Sequence, residues 1–372
     1  LVAGSRIAGQ IQPRVWLAGD RGGDRHGDAT LVRGYARGLL GNLSIEAGRN
    51  HLSHGHATDF GPLLSGNARG LDMIRVSLER PGRLPWIFRG LGPVGFSGLI
   101  ADMGRNQDTP SSKLIVWQLG VRPHRNLEIG LALVDHQGGE GSPPATWRER
   151  LQEAFFILKR RPFYFLPEVG EVTDKTAGLD VRLTVPSRGL NLYLELVTTD
   201  DHDVFKGASE ALWNDAAWTA GLRMTGLGDE GRLDAWVEGS RVGVRPYTHH
   251  QFTSGLTLDG RVLGSPLGPL GAGIEAGVEW TGTHHRLSTR AAWERYQGDA
   301  YVDVPGGLVE FIRTEDNPDE VRIRASLDWA RQAAASRLRT TLRLGYEHVS
   351  RFDFTRTSRS NLLAQASVGY VR

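Results

Sequence analysis

The most regular feature of this chain is an alternation of apolar and polar residues within short segments. The last segment shows it plainly, because Leu362, Ala364, Ala366, Val368 and Tyr370 share one face of an extended strand. Successive side chains of a β-strand point to opposite faces, so this period of two predicts strands rather than helices. An apolar stripe that ends in an aromatic residue is typical of a strand that faces lipid.

Sixteen segments in all follow this alternation and are separated by Gly, Pro, Asn and Asp. They are residues 7–17, 31–39, 43–48, 72–78, 94–102, 114–121, 127–135, 179–185, 190–198, 219–227, 232–242, 273–282, 286–296, 321–329, 338–348 and 361–372. Tight connections alternate with long ones, as the periplasmic turns and extracellular loops of a barrel do. The pattern predicts an all-β fold, a transmembrane antiparallel β-barrel of about 16–18 strands, in a single domain over residues 1–372.

One segment, residues 144–161, has helical rather than strand spacing. Thr146 is a predicted N-cap with Glu149 three residues later, and apolar residues follow at positions 147, 151, 154, 155 and 158. This pattern predicts an amphipathic helix inserted into the barrel domain. Because its polar face carries both charge signs, we favour a plug or cap packed against the end of the barrel over the alternative, a helix on the membrane surface.

Composition excludes other classes of protein. No apolar stretch approaches the roughly 18 residues of a spanning helix, and the mean hydropathy is −0.31. The absence of cysteine excludes disulfide frameworks and thiolate chemistry. The chain starts at Leu1 without an initiator Met, which we interpret as a mature outer-membrane protein after removal of its export signal.

The basic residues are almost all arginine, with lysine only at four positions, although the formal net charge is just +2. A GC-rich genome accounts for this bias without any functional reason. The alternative is functional, because forked guanidinium groups suit the carboxylates and phosphates of acidic glycans and lipopolysaccharide. No basic run resembles a nucleic-acid-binding arm, so no nucleic-acid partner is predicted.

The densest group of candidate ligands is His51, His54, His56 and Asp59. Three imidazoles and a carboxylate could bind zinc or copper, but the segment lacks the helical or hairpin spacing that fixes ligand geometry. We therefore favour polar loop residues near a barrel opening and predict no metal site. The metalloprotease, P-loop and serine-hydrolase motifs are also absent from the sequence, so neither an enzyme nor a cofactor is predicted.

Two blocks carry a resemblance to a known family. Residues 45–68 read Ile-Glu-Ala-Gly-Arg-Asn, a His-rich loop, and Phe-Gly-Pro-Leu-Leu-Ser-Gly-Asn-Ala, and residues 247–269 contain a His-His-aromatic-Gly strand followed by Gly-x3-Gly. In this order and separation they resemble the capsule assembly protein Wzi family. The chain departs from the family at residues 60–63, where Phe-Gly-Pro-Leu replaces Trp-Gly-Pro-Gly.

The resemblance implies an outer-membrane barrel with 18 strands favoured, closed on the periplasmic side by helices, so that the helix at residues 144–161 is expected to be a short periplasmic plug. It also implies a non-catalytic lectin for capsular polysaccharide. Further implied partners are outer-membrane lipid, lipopolysaccharide and the polysaccharide export machinery. The alternative function is a porin-like channel for anionic solutes or saccharides. The candidate polysaccharide-binding residues are Arg49, His54, His56, Asp59, Asn67, Arg69, His249, His250 and Arg261.

Overall fold

The structure is a computed structural model of the chain. It describes residues 2–3, 6–19, 25–142, 144–155, 173–199, 216–228, 230–249, 252–303, 311–332 and 338–370.

Antiparallel β-structure dominates the described residues, as the alternation predicts. Eighteen strands form one sheet. Its strands are β1 (Val2–Ala3), β2 (Ile7–Gly19), β3 (Arg25–Leu40), β4 (Leu43–Asn50), β5 (Leu71–Leu78), β6 (Gly82–Arg83), β7 (Pro93–Asp102), β8 (Lys113–His124), β9 (Leu127–Gln137), β10 (Thr173–Val185), β11 (Leu190–Thr199), β12 (Ala216–Leu227), β13 (Leu233–Val242), β16 (Gly271–Thr281), β17 (His285–Tyr296), β20 (Glu320–Gln332), β21 (Leu338–Ser350) and β22 (Ser358–Tyr370). Two small hairpins lie in the connections: β14 (Thr257–Leu258) with β15 (Arg261–Val262), and β18 (Ala300–Asp303) with β19 (Phe311–Glu315).

Sixteen strands of the large sheet have eight or more residues, and each of them contains most of one predicted segment. The remaining two, β1 and β6, are only two residues long. Each long strand pairs with the next long strand along the chain, which gives a simple up-and-down order. Three short 3-10 helices are described, at Trp86–Leu91, Pro186–Arg188 and Phe352–Phe354.

The outer face of the sheet carries the apolar stripe of the alternation. Large apolar side chains are exposed there on nearly every long strand, such as Ile11, Ile45, Ile74, Ile100, Leu119, Leu131, Leu194, Ile274, Ile323 and Leu344. The residues between them turn to the other face, where Glu195, Glu238 and Thr219 are buried. A polar interior inside an apolar outer belt is the arrangement of a membrane β-barrel.

The two ends of the sheet differ in their connections. At one end, six connections of two to five residues join strands at 41–42, 125–126, 186–189, 228–232, 282–284 and 333–337, and one longer connection spans 79–92. Both termini of the sheet lie at this end, which we call the short-turn end. The opposite, long-loop end carries six connections of ten or more residues, 51–70, 103–112, 138–172, 200–215, 243–270 and 297–319, and two shorter ones at 20–24 and 351–357. Outer-membrane barrels hold their short turns in the periplasm and their long loops outside.

The predicted helix is present as α1 (Trp147–Phe155), and its N-terminus has the predicted capping box. The Glu149 carboxylate accepts hydrogen bonds from the Thr146 backbone N–H at 2.7 Å and from its hydroxyl at 2.9 Å. However, α1 belongs to the connection 138–172 and therefore lies at the long-loop end. This differs from the periplasmic position we expected, because the capping pattern is local whereas the end of the barrel depends on strand direction.

Two long connections, 51–70 and 243–270, supply much of the buried core. Their fully buried side chains include Phe60, Leu63, Leu64, Phe252, Leu256 and Leu267. All of these except Phe252 pack with inward-facing wall residues such as Leu114, Val116 and Val134 in one apolar cluster. The cluster shows that the connections fold into the barrel interior, and we call residues 51–70 and 243–270 together the plug.

Candidate functional site

The plug is anchored to the wall by buried carboxylates that accept hydrogen bonds from its backbone. Glu238 on β13 accepts from the N–H groups of Thr58 at 2.7 Å, Asp59 at 3.1 Å and Phe60 at 2.7 Å. The Tyr193 hydroxyl donates to the same carboxylate at 2.5 Å. Buried backbone donors need such partners, and a charged acceptor makes the bonds stronger.

Glu195 on β11 plays the same role for the two backbone amides that precede Thr58. Its Oε1 accepts from the backbone N–H of Ala57 at 2.5 Å and from that of His56. Glu195 and Glu238 are only 2% and 1% exposed. Five consecutive backbone amides of the plug therefore end on two wall carboxylates.

The predicted residues His54, His56 and Asp59 also face the wall. The Nε2 atoms of His54 and His56 lie 3.1 and 3.0 Å from the two carboxylate oxygens of Asp180 on β10. Asp59 pairs with Arg290 on β17 at 3.4 Å. These three side chains thus connect the plug to the barrel wall, on the opposite side from the outer surface.

The two parts of the plug are joined to each other by hydrogen bonds. Asn67 donates from its side-chain amide to the carbonyl of Val262 at 2.9 Å. The Tyr247 hydroxyl donates to the carbonyl of Pro62 and accepts from the backbone N–H of Ser265 at 3.0 Å. Burial raises the pKa of Tyr247, which keeps this hydroxyl protonated as the donor.

At the rim, where the wall strands meet the plug, half-buried arginines and exposed carboxylates form a polar network at the surface. Arg49 binds both carboxylate oxygens of Asp72 through Nε and Nη2, at 2.8 and 2.6 Å. Arg69 lies 3.7 Å from Asp72 and donates to Asp259, which also accepts from Asn106 at 3.2 Å. We call these five residues the rim network.

Local backbone geometry places Asp259 in the network. Asp259 and Gly260 both have positive φ, 51° and 73°, as a two-residue hairpin turn between β14 and β15 requires. The hydrogen bond from Arg69 is the largest cause that lowers the pKa of Asp259, so the carboxylate stays ionised. Arg261 follows in the same hairpin and is exposed.

The remaining predicted residues are histidines of the second connection. His249 is 7% exposed, and its ring lies 5.6 Å from that of Phe252, which in turn lies 4.3 Å from the ring of His136. His250 lies outside the described residues. The structure thus brings Arg49 and Arg69 together in the rim network and places Asn67 and Arg261 on the elements that flank it.

The space between the plug and the wall contains charged cavities. One, of about 600 Å³, is lined by Asp59, Glu275, Arg290, Arg324 and Arg343 among others. The arginines lie near acidic partners, for example Arg290 at 3.8 Å from Glu275. In the described part of the chain, no group of three His, Asp or Glu side chains has the geometry to hold a metal ion, and no helix is long and apolar enough to span a membrane.

Sequence reasoning missed the acidic partners, namely Asp72, Asp180, Glu195, Glu238 and Asp259. Glu195 and Glu238 do stand at inward positions of alternating strands, which is a usable signal for a lumenal acid. Nothing in the local sequence indicates that a loop about 140 to 180 residues earlier supplies the donors.

Comparison with known proteins agrees with this fold. Among solved structures, the chain is similar to the Escherichia coli outer membrane protein Wzi, described as a carbohydrate-binding β-barrel involved in group 1 capsule assembly. The identity is 17% and the TM-score 0.69, over 91% of this chain and 70% of that one. This likeness confirms the barrel fold.

Two Pseudomonas aeruginosa proteins are similar at a lower level. OccD3 (OpdP) shares 12% identity with a TM-score of 0.53 over 93% of this chain and 79% of that one. OccK10 (OpdN) shares 10% identity with a TM-score of 0.51 over 98% and 89%. No curated protein matches the sequence. The family model for the capsule assembly protein Wzi matches residues 2–362, and the chain therefore belongs to the Wzi family.

Proposed function

We propose that this protein is an outer-membrane lectin-like barrel that binds surface or capsular polysaccharide at its long-loop end and assists polysaccharide assembly or attachment there. Family membership supports the link to capsule assembly. The single observation that carries the binding site is the rim network, an exposed and internally braced set of planar polar groups. The proposal assigns the protein a binding role and no catalytic step.

The rim network has the chemistry that saccharides need. The side chains of Asp72 and Asp259 are 46% and 40% exposed, while arginine holds each carboxylate in a fixed orientation. A braced carboxylate accepts hydrogen bonds from sugar hydroxyls and loses little side-chain entropy on binding. The exposed Arg261 offers a forked donor to a sugar carboxylate.

Of the nine candidate residues, we retain Arg49, Asn67, Arg69 and Arg261 as the proposed polysaccharide site. His54, His56, Asp59 and His249 have contacts inside the barrel, so we assign them to holding the plug. The aromatic rings Tyr247 and Phe252 are likewise buried in the plug, which favours hydrogen bonding over ring stacking at the described rim.

The test is equilibrium binding of the purified barrel to the surface polysaccharide of its own host. We expect the double variant Arg69→Ala, Asp259→Ala to bind at least about tenfold more weakly, because two charge-assisted hydrogen-bonding groups are lost. The control is Glu230→Ala, an exposed carboxylate at the short-turn end, which should bind as the parent does.

Two results would contradict the proposal. The first is that the parent protein does not bind the host polysaccharide. The second is that the rim variant and the control bind equally well. Lipopolysaccharide and the export machinery are proposed further partners of the same outer surface, and pull-down from host membranes with the parent and the rim variant tests them.

A further inference from the structure

Helix α1 lies on the outside of the barrel wall, and three contacts establish this. The indole N–H of Trp117 donates to the carbonyl of Ala154 at 2.6 Å. The Gln137 side-chain amide donates to the carbonyl of Arg150 at 3.4 Å. Lys175 forms an ion pair with Glu153.

The three wall residues in these contacts all stand at outward positions. Trp117 alternates with the buried, inward Val116 and stacks on Phe96, which is 41% exposed. Gln137 shares its face of β9 with the exposed Leu131, and Lys175 shares its face of β10 with the exposed Leu179. The helix therefore packs on the lipid side of β8, β9 and β10.

The pairing register fixes the height of α1 on this wall. Leu119, Leu131 and Leu179 are directly paired neighbours and form an exposed apolar row. Two residues nearer the long-loop end, the row of Trp117 and Leu133 lies under α1, and Leu133 is only 6% exposed although it points outward. The helix thus rests directly above the leucine row of the apolar belt.

Still nearer the long-loop end, the outward-facing residues of the wall are charged or polar. Gln137 pairs in register with Lys113, which in turn pairs with Asp102 and forms an ion pair with it. A change from exposed leucines to ion pairs marks the boundary between acyl chains and headgroups. Helix α1 descends from the row of Gln137 to that of Trp117 and so crosses this boundary.

The face of α1 that turns away from the wall is apolar and basic. Trp147 and Leu151 are 66% and 47% exposed and lie one turn apart. The guanidinium of Arg148 lies 5.5 Å from the Trp147 ring centroid and is exposed as well. Tryptophan and arginine above a leucine are the residues that proteins place at the headgroup level of a bilayer.

We propose that α1 and the wall beneath it form a lipid-binding site on the outside of the barrel. The occupant is a phosphate-bearing lipid of the outer leaflet, with its acyl chains against Trp147 and Leu151 and its phosphate at Arg148. Continuity with the apolar belt identifies the occupant as lipid, and the positive charge at the headgroup level identifies an anionic headgroup. This site shares no residue with the rim network.

The first experiment measures where α1 lies. Because the chain has no cysteine, Leu151→Cys carries a single nitroxide label in bilayer-reconstituted protein. The label should collide with oxygen in preference to a water-soluble nickel chelate, as Leu131→Cys on the belt does. Glu140→Cys, exposed in the same connection, is the aqueous control. A label at 151 as accessible to nickel as the label at 140 would overturn the proposal.

The second experiment measures the headgroup contact. Detergent-solubilised protein is titrated with diphosphoryl lipid A, and bound lipids are counted by native mass spectrometry. Arg148→Gln should lose one bound lipid, whereas Arg232→Gln at the short-turn end should not. Equal lipid occupancy in the parent and Arg148→Gln would exclude the phosphate contact. Heat-dependent gel mobility confirms that each variant is folded, and unchanged polysaccharide binding separates this site from the rim.

Discussion

At the scale of single residues, the buried glutamates of the wall decide how the plug is held. Glu238 accepts three backbone hydrogen bonds and one from Tyr193. Its carboxylate therefore supplies the acceptors that the buried loop amides need. Removing the acceptor leaves several buried donors unsatisfied, and each such donor costs more than the net gain of an ordinary hydrogen bond.

We expect Glu238→Ala to lower the free energy of unfolding by about 3 kcal/mol, since it combines lost charged hydrogen bonds with unpaired amides. Urea titration in detergent, followed by heat-dependent gel mobility, measures the change. Glu238→Gln keeps an acceptor and should lose less, and the exposed Glu230→Ala serves as the control. If Glu238→Ala unfolds at the same urea concentration as this control, the anchoring role is wrong.

The ion pair of Arg69 with Asp259 predicts a pH dependence at the rim. The hydrogen bond from Arg69 lowers the pKa of Asp259 in the folded protein, so its stabilisation is complete above the ordinary aspartate pKa and is lost as pH falls through the lowered value. The effect is small because the carboxylate is 40% exposed and screened by solvent.

Asp259→Asn should therefore reduce the melting temperature slightly at pH 7, and the difference from the parent should shrink below about pH 4, where the unfolded-state carboxylate is protonated. Thermal denaturation of parent and variant across this range measures it. A difference that stays constant down to the lowest pH would show that the Asp259 charge contributes nothing.

At the scale of elements, the local sequence predicts that helix α1 forms, but it does not predict where α1 lies on the barrel. The capping box of Thr146 and Glu149 lies within four consecutive residues, and the structure contains it. The position of α1 depends on Trp117, Gln137 and Lys175, which come from three different strands. A sequence pattern carries no information about such partners, so the outer-wall location could not be predicted.

The capping box gives an element-scale prediction. Thr146→Ala removes the hydroxyl that accepts from the Glu149 backbone N–H, and caps of this kind contribute about 1 kcal/mol. Hydrogen exchange of the first-turn amides of α1 should therefore be about fivefold faster in the variant. Thr146→Ser retains the cap and should exchange as the parent does. Equal exchange in Thr146→Ala would mean that wall contacts alone hold the helix.

At the scale of the whole molecule, the strands were predictable because alternation is a property of neighbouring residues. All sixteen segments of the sequence analysis fall on long strands of the sheet. The plug was not predictable, because its bonds join His56 to Glu195 and Phe60 to Glu238 across more than a hundred residues. The sequence places His54 and His56 close together in one loop, but it could not show that their partner, Asp180, lies on the inner wall.

The plug also leads to different expectations for a lectin and for a porin-like channel. The backbone of the plug is anchored to Glu195 and Glu238 inside the barrel, with a buried apolar cluster beside it. We therefore expect the parent protein to show no stable conducting steps in a planar bilayer. The double variant Glu195→Ala, Glu238→Ala loses the acceptors for five plug amides and should conduct intermittently as the plug loosens. Glu230→Ala should stay silent. Stable open steps in the parent would favour a porin-like channel, because a lumen that conducts with every anchor in place is not closed by this plug.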